Sequence, residues 1–90
     1  MDKGGIIGLR STMFATAECA GNEVRYYILS EELDNGTEDY GVLAAYRGET
    51  AEVCGVTMCR TEIEDLMGCL RRGGVTPTAL RDVVEDWLLR

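Results

Sequence analysis

Hydrophobic and polar positions change period along this chain, and the change marks where strands give way to helices. Between Arg60 and Arg90 the apolar residues recur with helical spacing. Ile63, Leu66, Met67 and Leu70 stand at i, i+3, i+4 and i+7, which places them on one face, with Glu62, Glu64, Asp65 and Arg71 elsewhere. Leu80, Val83, Val84, Trp87 and Leu88 form a second such stripe. The pattern predicts helices over about 61–72 and 77–89.

Local chemistry supports these limits. Thr61 and Glu64 have the spacing of a capping box, and acidic residues open the first helix while Arg71 and Arg72 close it. Gly73-Gly74 supplies a left-handed stop. Thr76 is the expected cap of the second helix, with Pro77 at its first position and Val75 and Leu80 spaced as a hydrophobic staple.

Upstream the period shortens and β-branched and aromatic residues dominate. Gly21-Asn22, Asn35-Gly36 and Gly48-Glu49 read as two-residue hairpin loops, which predicts strands over about 11–19, 23–30, 39–47 and 50–57. Residues 1–10 contain three glycines, show no period and are expected to form a flexible N-terminal arm. The fold expected is a single α+β domain over 11–90. It consists of a four-stranded antiparallel meander followed by a C-terminal two-helix hairpin packed on one face, ββββαα.

Those loops also imply a register, with Ala15, Ile28, Leu43 and Cys54 in one row and Thr16, Tyr27, Ala44 and Val53 in the next. One face then carries Met13, Ala17, Val24, Tyr26 and Ala45 with the first row, and the other carries Phe14, Leu29, Val42, Tyr46 and Ala51 with the second. Both faces are apolar, yet two short helices cover only one. An uncovered apolar face predicts association with a second copy or another protein. A one-residue bulge would instead shift the register and make one face more polar.

Composition narrows the function. Ninety residues form one small domain, which oligomerisation would help to stabilise. The net charge of −7, from 16 acidic against 9 basic residues, repels phosphate backbones and anionic lipid, so neither nucleic acid nor membrane is an expected partner. A helix-turn-helix reading of the last two helices fails on the same ground, because Asp82, Glu85 and Asp86 would face the phosphates. The apolar run at Ile6-Ile7 is too short for a signal peptide, and a cytoplasmic protein with reduced thiols is expected.

No histidine is present, which removes the usual general base and the commonest metal ligand. Cys19, Cys54, Cys59 and Cys69 offer one C-x4-C gap and are read as packed thiols rather than a zinc site. The acidic run Glu31-Glu32-Leu33-Asp34 with Glu38-Asp39 lacks calcium-loop spacing and is read as a solvated turn. No catalytic residue, cofactor or metal is expected.

The run Val75-Thr76-Pro77, then Leu80-Arg81-Asp82-Val83-Val84-Glu85-Asp86-Trp87-Leu88, with Tyr26-Tyr27-Ile28-Leu29 ahead of Tyr40-Gly41-Val42, resembles a family of short proteins from Clostridia-type bacteria known as a domain of unknown function. The resemblance implies a stand-alone bacterial cytosolic protein and brings no activity. Within that run Arg81, Asp82 and Glu85 are not explained by capping or packing. With Tyr27 and Tyr46 they are the candidate interaction surface of a non-enzymatic interaction or regulatory module, expected to be homodimeric. The alternative is a small-molecule or metal-binding protein using the space between sheet and helices, lined by Tyr26, Tyr27, Tyr46 and Trp87.

Overall fold

A computed structural model describes residues 6–89. The elements run β1 (Ile6–Cys19), β2 (Asn22–Leu33), β3 (Glu38–Tyr46), β4 (Glu49–Thr57), α1 (Arg60–Gly73) and α2 (Pro77–Leu88). The strands form one antiparallel sheet in the order β1-β2-β3-β4, and both helices pack on the same face of it, α2 chiefly over β4. This is the expected ββββαα architecture. β1 begins earlier than the sequence pattern suggests, because Ile6, Gly8, Leu9 and Arg10 pair with Leu33, Glu32, Glu31 and Ser30. Residues 6–10 are therefore strand rather than arm, and residues 1–5 lie outside the described residues.

All three hairpins occur where expected, but none uses the predicted turn. The first loop is Ala20-Gly21, with φ of 53° and 83°, and the third is Arg47-Gly48, with φ of 52° and 83°. Each is a type I′ geometry with glycine second, one residue earlier than the glycine-first loops read from the sequence. At the middle hairpin the Gly36 N–H donates to the Leu33 carbonyl (3.0 Å) and the Leu33 N–H to the Thr37 carbonyl (2.9 Å). That is a three-residue loop with Gly36 in the left-handed position at φ 91°, and Asn35 Oδ1 braces it by accepting from the Thr37 N–H at 3.1 Å.

These displacements reset the register. Tyr26 pairs with Ala15 and Ala44, and Ala44 with Ala51; Tyr27 pairs with Met13 and Leu43, and Leu43 with Glu52. The rows predicted through Ala15–Ile28–Leu43–Cys54 and Thr16–Tyr27–Ala44–Val53 are thus replaced. The bulge that the sequence left open is present: the pairing slips between Met13 and Ala15, and again between Tyr40 and Val42. At the second slip Gly41 lies so close to β4 that a Cβ there would meet the Val53 carbonyl and the Cys54 Cα.

One face of the sheet is consequently apolar where the helices lie on it. Val24, Tyr26, Ile28, Tyr40, Val42 and Ala44 meet Ile63, Leu66, Met67 and Leu70 of α1 and Leu80 and Val84 of α2, all buried. Each fully buried aliphatic side chain here contributes about 1.5–3 kcal/mol relative to its exposed state. Trp87 and Val83 are partly buried against this core, whereas Leu88, predicted to belong to the packed stripe, is 51% exposed at the end of its helix.

The stop of α1 and the start of α2 are as read, but the start of α1 differs. Gly74 is left-handed, and the Gly74 and Val75 N–H groups donate to the Arg71 and Leu70 carbonyls. Thr61 is not a cap: α1 starts one residue earlier, Cys59 is the N-cap, and Glu64 is drawn into a 2.8 Å ion pair with Arg60. No side chain caps α1; Thr57 instead ties the approach to the helix, its Oγ1 accepting from the Cys59 N–H at 3.1 Å and donating to Glu62 at 2.8 Å. Thr76 occupies the predicted N-cap of α2 without a side-chain bond, and the Ala79 N–H donates to its carbonyl.

Candidate interaction surface

The five residues singled out from the sequence do not form one surface. Arg81, Asp82 and Glu85 are exposed on α2. Arg81 and Glu85 are not within ion-pair distance; the pairs among the described residues are Arg10–Glu38, Arg25–Glu23 and Arg60–Glu64. Tyr46 belongs to the helix-covered side, where its hydroxyl donates to the Cys19 carbonyl at 3.1 Å. Tyr27 alternates with the buried Tyr26 and Ile28 and so stands on the opposite, open face.

The proposed aromatic lining of an interlayer site is dispersed as well. Tyr26 is fully buried and donates to the Val75 carbonyl at 2.7 Å, and the space between sheet and helices is filled by Leu66, Met67, Leu70, Leu80 and Val84 at 0% exposure. The depressions lie outside the core, such as one of about 420 Å³ between Thr16–Glu18 and Arg71–Gly74. Among the described residues no group of His, Cys, Asp and Glu is arranged to hold a metal ion.

The open face is where apolar side chains meet water without a layer above them. Strand alternation and the observed register place Ser11, Met13, Thr16 and Glu18 of β1 there, with Glu23, Arg25, Tyr27, Leu29 and Glu31 of β2. β3 and β4 add Asp39, Gly41, Leu43, Ala45, Thr50, Glu52 and Cys54. The centre is apolar: Tyr27 and Leu43 pair directly and are half-buried, Leu29 is 5% exposed yet outside the core cluster, and Met13, opposite Tyr27, is 49% exposed. Around it stand Glu18, Glu23, Glu31, Asp39 and Glu52, against the single guanidinium of Arg25, which pairs with Glu23 at 3.3 Å.

Cys54 registers that charge. Partial desolvation pushes its thiol above the ordinary value, and the carboxylates of Glu52, Glu31 and Asp39 add to the shift, since each disfavours a thiolate beside it. Such a thiol is a poor nucleophile and a poor metal ligand at neutral pH. All four cysteines are free; Cys54 and Cys59 are exposed rather than packed, and Cys19 and Cys69 are partly covered.

Sequence reasoning placed Leu29 and Leu43 on opposite faces and so missed that they share one. The recoverable signal was the loop Asp34-Asn35-Gly36: as a three-residue turn with Gly36 left-handed, it pairs Tyr27 with Leu43.

A family model matches residues 9–90, nearly the whole chain. The chain belongs to the family of unknown function DUF6514. No curated protein and no solved structure matches it. The DUF6514 match spans β1 from Leu9, the open sheet face and both helices, so this surface is part of the family's domain rather than an addition to it. Among the described residues of this DUF6514 chain, no helix is long and apolar enough to cross a membrane.

Proposed function

We propose that this protein is a non-enzymatic module that acts by binding a protein surface through the open face of its sheet. The observation that carries this reading is the cluster of Tyr27, Leu29 and Leu43, backed by Met13, at the centre of a face that neither helix covers. Antiparallel sheets with one solvated face ordinarily alternate apolar with polar, and here Met13, Tyr27 and Leu43 form an apolar row across three strands of the uncovered face. The absence of histidine from the sequence and the filled interlayer space support a binding role over a chemical one. Among the described residues the centre of the interlayer space is filled by Leu66, Met67, Leu70, Leu80 and Val84, which favours this reading over a small-molecule site there.

Substituting Leu43→Glu tests the surface. Leu43 is half-buried on the open face, so the variant retains the core and should keep its fold by circular dichroism. Sedimentation across a wide protein concentration range then reports self-association, and titration with a partner reports hetero-association; either should be lost in the variant. Association that survives the substitution would place the interface elsewhere.

A further inference from the structure

We propose that the partner of this open face is a basic protein segment, an apolar ridge flanked by lysine or arginine, rather than a second copy of the chain. The inference rests on the reading of the open face as the binding surface, and it adds the partner's chemistry.

The stripe of Met13, Tyr27, Leu43 and Ala45, lying beside the buried Leu29, asks for apolar contact, and its rim decides the sign of the charge beside that contact. Glu18, Glu31, Asp39 and Glu52 form no ion pair among the described residues, and Arg25 is already engaged by Glu23. The rim is therefore uncompensated negative charge on three sides of the stripe, on a chain whose net charge is −7. Two copies packed face to face would bring these carboxylates against one another around a desolvated centre, where like-charge juxtaposition is costly and orients partners away. A ridge bearing lysine or arginine turns each of those repulsions into an attraction and gains from electrostatic steering. The Cys54 thiol, raised first by desolvation and then by Glu52, Glu31 and Asp39, stands within reach of three of these carboxylates.

The acidic sides of the helices serve as the internal comparison. Glu62, Glu64 and Asp65 on α1 and Asp82, Glu85 and Asp86 on α2 are exposed carboxylates too, and the apolar side chains beside them, Trp87 and Leu88, lie at the end of one helix rather than along a row of paired strands. A partner selected by charge alone would use both regions, and one selected by the stripe and its rim together uses the sheet.

The probe is a synthetic amphipathic peptide with leucine on one face and lysine on the other, compared with the same peptide carrying glutamate for lysine. Amide chemical shifts of the full chain are followed during titration. The lysine peptide should move amides at Tyr27, Leu29 and Leu43 and leave α2 unchanged, and the glutamate peptide should not bind. Raising salt from low to above physiological strength should weaken binding by about five-fold or more, as screening of surface charge requires. The exposed-rim double substitution Glu31→Gln with Glu52→Gln, which leaves the stripe intact, should weaken it several-fold.

Shifts confined to the helices, or equal binding of both peptides, would overturn the proposal. Self-association through the same amides that tightens as salt rises would also overturn it, while leaving the open face as the binding surface. A strict monomer whose open-face amides respond to neither peptide would sink both readings.

Discussion

The Tyr26 hydroxyl donates a 2.7 Å hydrogen bond to the Val75 carbonyl, joining the centre of β2 to the link between the helices across 49 positions of chain. It locks the helix pair to the sheet at the point where α1 has ended and α2 has not begun. Tyr26→Phe removes the donor and should cost about 1–2 kcal/mol, read as a lower midpoint in urea with unchanged slope.

The burial of the same hydroxyl predicts an alkaline limit. Burial pushes the Tyr26 hydroxyl from 10.0 up to about 12. A raised pKa means the unfolded chain gives up this proton first, so the contribution is complete below pH 10, declines between 10 and 12, and is lost above that. The stability gap between wild type and Tyr26→Phe should narrow over that window, measured by denaturant titration at successive pH values.

Ala20 and Arg47 hold φ of 53° and 52°, a region that side chains with a Cβ adopt at a cost. Ala20→Gly and Arg47→Gly remove that strain at a type I′ turn, and each should raise stability by about 0.5–1 kcal/mol. Thermal melts of the single and double variants check this, and the two gains should add because the turns are separate.

Gly41 has the opposite requirement. Its place is set by closeness rather than by φ, since a Cβ would strike the Val53 carbonyl and the Cys54 backbone. Gly41→Ala should cost about 2–3 kcal/mol and weaken the β3–β4 pairing, seen as faster amide exchange between Val42 and Val53.

The start of α1 separates the sequence reading from the structure. Thr57→Ala should destabilise the protein by about 1 kcal/mol through loss of its hydrogen bonds to Cys59 and Glu62, and Thr61→Ala by only a few tenths. An equal or larger cost at Thr61 would restore the capping box in its place.

Cys54 should alkylate slowly at neutral pH despite its exposure, because its thiol is held up by desolvation and by Glu52, Glu31 and Asp39. Glu52→Gln should speed the reaction, with peptide mass mapping as the measure.

Much of this architecture was legible in the order of residues. The helices over Ile63–Leu70 and Leu80–Val84, the left-handed Gly74, Pro77 at the start of α2 and the existence of three hairpins all follow from spacing and from backbone preferences of a few neighbouring residues. Such signals act within about one turn of chain, and nothing distant competes with them.

The candidate surface was not legible, because it depends on register, and register accumulates small local choices. Reading Asp34-Asn35-Gly36 as three residues rather than two exchanges the face on which Leu43 stands relative to Ile28, whereas glycine second rather than first in the other two turns moves the pairing by two and keeps each side chain on its face. Side chains alternate with a period of two, so a single residue of slip sends a whole strand's set to the other side. The sequence by itself determined four strands, two helices and an acidic, apolar-rich chain. Only the tertiary structure decided which apolar residues the helices would bury and which, with Tyr27, Leu29 and Leu43 at their centre, would be left facing outward, since that choice is made by pairing across strands and not within them.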